Sequence, residues 1–175
     1  MCAPWDFATM HGYTAYATFA RNRLDPEVVP FYYDMMASFS NKRVLFSEFG
    51  NPQCADPTLT VYPCLTEKEM ATYAAAVLER LQSRGALGAY WWCYTDYDDA
   101  LHSTPPFDQA PHELSFGAWR ADGSPKPVVE VLTRVARAAA DVAPAPTPDV
   151  IESDYYAHPV DVKTAYAAFL RREAT

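Results

Sequence analysis

The stretch Arg43-Val44-Leu45-Phe46, followed at once by Ser47-Glu48-Phe49-Gly50, constrains this chain more than any other. An apolar run without alternation belongs in a strand covered on both faces, as in a parallel sheet. Parallel strands need crossover connections of roughly a dozen residues or more, normally helices. The sequence supplies one on each side. Upstream, Asp25-Pro26-Glu27 reads as a helix start, with Asp as N-cap, Pro at the first helical position and an acid in the first turn. Val28, Phe31, Tyr32, Met35, Met36 and Phe39 carry its apolar stripe to about Ser40. Downstream, Thr66-Glu67-Lys68-Glu69 is a capping box, and Gly85 supplies the stop.

Two further strands complete the pattern. Residues 5–12 form a short aromatic run before a glycine, and residues 86–94 centre on Ala89-Tyr90-Trp91-Trp92-Cys93. A long polar loop over 95–124 leads to a helix at about 127–142. Residues 143–148, Ala-Pro-Ala-Pro-Thr-Pro, make a stiff connector, and a last helix spans about 159–173. Strands separated by helices predict an α/β fold with a parallel sheet and right-handed crossovers. The chain divides into a main unit over 1–142, the connector, and a helical extension over 149–175 that packs on the main unit.

At 175 residues, half of them apolar, the chain is long enough for one domain with a real core. Its 22 acidic against 14 basic side chains repel phosphates, which argues against nucleic acid and anionic membrane as partners. No apolar stretch approaches the roughly 18 residues of a spanning helix. The N-terminus has neither the basic nor the apolar region of a signal peptide, and localisation stays open. Cys54 and Cys64 flank one loop and could pair in an oxidising compartment, but no cysteine or histidine spacing suits zinc. Asp96, Asp98 and Asp99 suggest a calcium loop until Leu101 and Phe107 are found where Gly and Glu are required, so no metal is expected.

Parallel α/β folds keep their chemistry at the carboxyl ends of the strands. Here those ends carry His11 and Tyr13, then Glu48, then Trp91 or Trp92. A glutamate directly behind an apolar strand is costly unless paired or used. His11 and Tyr13 are two apart, so they share one side of an extended strand. Each residue alone has an ordinary structural reading, and the ordered series is what points to a site. His112 and Glu113 are read as bracing the long loop, and His158 as structural.

The series His-x-Tyr, Glu-Phe-Gly and Tyr-Trp-Trp resembles the last three βα units of a clan-A glycoside hydrolase barrel, closest to family 5, the cellulase and mannanase group. Ser115-Phe116-Gly117 with the segment 120–127 is similar to that family's closing stretch, and the resemblance spans about residues 4 to 140. It implies a partial (β/α)8 TIM barrel, strands six to eight with their helices plus a C-terminal helix. It also implies retaining hydrolysis of β-linked oligo- or polysaccharides. Glu48 matches the nucleophile, Tyr13 and His11 would hold it, and Trp92, with Trp91 second, would floor the sugar subsite. No cofactor is implied. The family's acid/base sits in an Asn-Glu pair, which this sequence lacks. The expected partner is therefore the missing N-terminal part of the barrel, without which the chain is inactive and prone to associate. The alternatives are a non-catalytic carbohydrate-binding remnant, one subunit of a split barrel, or an open α/β domain in which Glu48 is structural.

Overall fold

The computed structural model describes residues 4–53, 65–138 and 162–174. Cys54, Cys64, the connector 143–148, His158 and the start of the last predicted helix lie outside the described residues. Among the described residues, three strands form one parallel sheet in the order β1 (Ala8–Tyr13), β2 (Val44–Gly50), β3 (Gly88–Trp91). Helix α1 (Val28–Ser40) follows β1, α2 (Glu67–Ser83) follows β2, and α3 (Val128–Arg137) and α4 (Val162–Glu173) come after β3.

One side of the sheet is sealed. Ala8, Val44, Phe46 and Phe49 join Val29 and Tyr33 of α1 and Met70, Tyr73, Ala74 and Val77 of α2 in a single buried cluster. The predicted α1 stripe turns out to be shared between two partners. Val28, Phe31 and Met35 pack against Tyr166 and Phe169 of α4, whereas Val29, Tyr33 and Ala37, four residues apart, face the sheet. A helix covered on two sides has two stripes, so a one-stripe pattern undercounts its burial.

The capping box at α2 forms as read, with Thr66 Oγ1 accepting from the Glu69 N–H and the Glu69 carboxylate accepting from the Thr66 N–H. Gly85 ends that helix in the left-handed region at φ 79°, where a side chain would be strained. The start of α1 differs from expectation. Asp25 is fully buried three residues before the first helical residue. It accepts from the backbone N–H and the guanidinium of Arg21, from the Glu27 N–H and from the Tyr166 hydroxyl. It fastens α4 to the loop ahead of α1, while the N-cap position falls to Glu27, without a side-chain cap bond, and Pro26 precedes the helix. Burial pushes its pKa up, but these donors outweigh it and hold the carboxyl below its usual range.

β3 is shorter than its apolar run. Beyond Trp91 the backbone turns to other partners: the Cys93 N–H bonds Phe116 O, and the Ala118 N–H bonds Cys93 O. The closing segment captures the groups that a longer strand would have offered to β2. That segment is fixed in turn by Arg120, whose guanidinium makes a bidentate pair with Glu67 of α2 at 2.7 and 2.5 Å.

Candidate active site

Strand alternation decides which side chains reach the open side of the sheet. On β1, Gly12 turns toward the helices: a Cβ there would meet Phe46 and Val29. Thr9, His11 and Tyr13 therefore face away. On β2 the pairing steps from Met10 opposite Phe46 to His11 opposite Glu48, leaving Ser47 as a bulge. The extra residue lets Phe46 and Phe49 both enter the helix-side core while Glu48 swings to the open side beside His11.

The three residues converge. The Tyr13 hydroxyl donates to Glu48 Oε2 at 2.5 Å, and His11 Nδ1 lies 3.3 Å from the same oxygen. Burial, then the hydrogen bond to the carboxylate, pushes the Tyr13 pKa far upward, so the phenol stays protonated and donates. Both contacts fall on Oε2. Among the described residues Oε1 of Glu48 has no partner, and the side chain keeps about a quarter of its surface open (27%). The arrangement is a fixed carboxylate with one oxygen tied and the other available.

Gly50 explains why Phe49 is followed by glycine. A Cβ there would lie 2.6 Å from the Trp92 carbonyl, where the backbone leaving β3 crosses the end of β2. The Trp92 N–H also bonds Phe49 O at 2.8 Å, so Trp92 begins its turn one residue beyond Glu48.

Trp91 is the last residue of β3. Trp91 goes to the helix side: its indole N–H donates to Phe116 O at 2.9 Å, and its ring meets Phe49 edge-on at 5.2 Å. It also packs against the main core. Its indole N–H is satisfied and its ring is partly buried against the core. Trp92 lies just past the end of β3, where the backbone turns.

The loops at this end add groups that the sequence reading left as scaffolding. Asn51 Oδ1 accepts from the Ala15 N–H, tying the turn after β1 to the end of β2. That turn presents Tyr16, whose hydroxyl donates to Glu113 Oε1 at 2.5 Å and lies 3.3 Å from His112 Nε2. The rings of Tyr13 and Tyr16 are 5.6 Å apart, and Phe116 meets Tyr13 edge-on at 5.8 Å. Tyr16 and Glu113 were legible only as residues of carboxyl-end loops, with no motif of their own. Asp96, by contrast, is committed: its carboxylate accepts from the fully buried Lys126 ammonium at 2.7 Å and from the Gly117 N–H. Asp98 caps the short turn that follows it, through the Ala100 N–H.

No protein-family model and no curated protein matches the chain. Solved structures do. A GH5_18 protein of Streptomyces cattleya, in complex with GlcNAc, aligns over 97% of this chain at 20% identity and TM-score 0.73. An exo-beta-1,4-mannosidase from Opitutaceae bacterium strain TAV5 aligns over 74% at 26% identity and TM-score 0.57. A Faecalibacterium prausnitzii beta-glucuronidase aligns over 79% at 18% identity and TM-score 0.58. The chain spans 42% of the first of these proteins and 22% of each of the other two. The likeness is one of fold: a mixed α/β unit with a three-stranded parallel sheet, corresponding to part of a barrel-like glycoside hydrolase.

Proposed function

We propose that this chain forms strands six to eight of a retaining β-glycosidase barrel and that Glu48 is its nucleophile. The observation that carries the reading is the half-tied carboxylate. A nucleophilic carboxylate must be ionised, oriented, and bare on the oxygen that attacks. Glu48 has Tyr13 and His11 on Oε2 and nothing on Oε1 among the described residues. In the reaction Oε1 attacks the anomeric carbon as the bond to the leaving oxygen breaks, giving a glycosyl-enzyme ester, which water then hydrolyses. The Tyr13 phenol stabilises the negative charge before attack and again when the ester is cleaved. Trp92 offers an aromatic face to the sugar ring.

A retaining enzyme also needs an acid/base carboxyl about 5–5.5 Å from the nucleophile. Asp96 is taken by Lys126, and Glu113 is held on Oε1 by Tyr16. The acid/base is therefore assigned to barrel strands beyond these three, which also cover the open side of the sheet. β-Mannosides are the first substrates to try, since solved neighbours include an exo-beta-1,4-mannosidase and GH5_18 complexes with Manb1-4GlcNAc. The commitments of Asp96 and Glu113 also favour a second reading, in which this unit binds β-linked sugar without cleaving it.

A 2,4-dinitrophenyl 2-deoxy-2-fluoro-β-mannoside separates the two. Its leaving group needs no protonation, so nucleophilic attack is tested without the acid. The expected result is a covalent glycosyl adduct on the peptide containing Glu48 and none in Glu48→Gln. An adduct on a different carboxylate, or sugar binding with no adduct, rejects the nucleophile assignment.

A further inference from the structure

Glu113 takes no part in the chemistry above, yet it is built into the same rim. Tyr13 and Tyr16 stand side by side at the end of β1, the first hydrogen-bonded to Glu48 and the second to Glu113. On Glu113 the pattern of the nucleophile repeats. Tyr16 donates to Oε1, and His112 Nε2 lies 3.4 Å from that oxygen. Oε2 has no partner among the described residues, and about a third of the side chain is open to solvent (36%). His112 is itself buried, and burial lowers its pKa against the pull of Glu113, which favours the neutral ring.

Such a group is placed to accept hydrogen bonds. A donor on one oxygen fixes the carboxylate's orientation, and the free oxygen can accept from the hydroxyls of a sugar. It also imposes a charge preference. Neither Glu48 nor Glu113 is paired with lysine or arginine among the described residues, and the cations on the neighbouring loop are taken, Lys126 by Asp96 and Arg120 by Glu67. Two carboxylates on one rim accept neutral hydroxyls and repel a third carboxylate.

We propose that Glu113, oriented by Tyr16 and His112, is a hydroxyl acceptor of the Glu48 cleft that favours neutral β-pyranosides over β-uronides. The proposal rests on the glycosidase reading of the cleft and adds to it a residue that sets substrate class. The GH5_18, mannosidase and glucuronidase folds are alike in outline, so the choice between neutral and acidic sugars has to come from side chains such as this one.

The test is an amide NMR titration of the isotope-labelled chain with methyl β-mannopyranoside and with its C6-carboxylate counterpart, two probes that differ only at C6, a hydroxymethyl against a carboxylate. The mannoside should perturb amides at 13–16 and 112–116 and bind at least tenfold tighter than the uronide. Glu113→Gln should bring the two affinities within about threefold of each other, and Glu113→Ala should weaken mannoside binding about tenfold. If the Glu113 variants lose the folded amide spectrum, Tyr16→Phe takes their place, since it keeps the carboxylate and removes its orienting donor. A threefold loss of mannoside affinity with discrimination intact supports the proposal there, and unchanged affinity overturns it. An unaltered mannoside-to-uronide ratio in Glu113→Gln, or no perturbation at these segments by either sugar, overturns it as well. Covalent labelling of Glu48 judges the glycosidase reading separately. A labelled Glu48 with an unaltered ratio sinks this inference alone, and an unlabelled Glu48 with Glu113-dependent binding sinks only the nucleophile assignment.

Discussion

On the helix side of the sheet, Ala8, Val44, Phe46 and Phe49 lie sealed beneath α1 and α2, whereas on the other side Thr9, His11 and Tyr90 stand open to solvent. The first side holds the fold together by removing apolar surface from water. The second holds ionisable and aromatic groups in place and leaves them accessible. A single bulge residue, Ser47, keeps the two apart at β2, because without it Glu48 and Phe49 would each fall on the wrong side. Stability and chemistry are therefore written in alternate residues of the same strands. The comparison can be broken by finding a residue of one side whose loss has the effect expected from the other.

The largest expected effect belongs to the open side. In a preparation where the site is complete, Glu48→Gln should lower kcat on an aryl β-glycoside by at least ~10^4-fold, roughly 5 kcal/mol or more of transition-state stabilisation. The thermal midpoint should stay almost unchanged, since the amide keeps the shape and the half-open position. Activity above about one per cent of wild type would place the nucleophile elsewhere.

Phe46→Ala is the mirror experiment. The ring is fully buried in the main cluster and contributes nothing to the open side. Truncation should cost about 3–5 kcal/mol in urea unfolding. The fraction that stays folded should still form the Tyr13–Glu48 contact. A stability loss below about 1 kcal/mol would show that the helix side is not the core.

Tyr13→Phe sharpens the comparison, because Tyr13 belongs to both sides of the argument. Its hydroxyl serves Glu48 and its ring packs on Phe116 and Tyr16. Phenylalanine keeps the packing and removes the donor. Turnover should fall about 10- to 100-fold while stability shifts by no more than about 1 kcal/mol. An equal loss in both would mean that the hydroxyl serves the fold.

Sequence made the helix side and the site residues legible to different depths. The apolar run at 43–46, the capping box at Thr66 and the stop at Gly85 each have a local cause, and they form as local physics requires. The convergence of His11, Tyr13 and Glu48 followed from a topological rule about strand ends, and it needed the correct strand order as well. Where competition is non-local, sequence is silent. The end of β3 depends on the closing segment capturing Cys93, and the role of Asp25 depends on Tyr166, more than a hundred residues away. The Tyr16–Glu113 contact joins two loops 97 residues apart, and no local pattern announces it.

The smallest predicted effect tests whether the helix side is as apolar in its energetics as in its composition, since the N-terminal approach to α1 carries the buried Asp25 and α1 itself the partly buried Asp34. Asp25 has a full set of donors and its pKa is lowered, so its contribution is present at neutral pH and is lost as pH falls below the ordinary carboxylate value. Asp34 is the opposite case. Its Oδ1 lies 3.3 Å from Arg84 Nε without an aligned hydrogen bond, and Arg84 is shared with Glu173 at 2.6 Å and with the Phe169 ring. Burial, against the pull of Arg84 and with Glu173 adding to the rise, pushes Asp34 up to about 6, with Arg172 nearby pulling it down. Between about pH 4 and pH 6 the folded protein keeps a proton that the unfolded chain has released, so this group makes stability fall as pH rises through that window. Asp34→Asn removes the charge and leaves Arg84 paired with Glu173. Urea unfolding should find the variant more stable than wild type by about 1 kcal/mol at pH 7, with the gain vanishing near pH 4. A variant less stable at pH 7, by an amount that shrinks in acid, would show that the Arg84 contact outweighs desolvation and that this charge supports the helix layer.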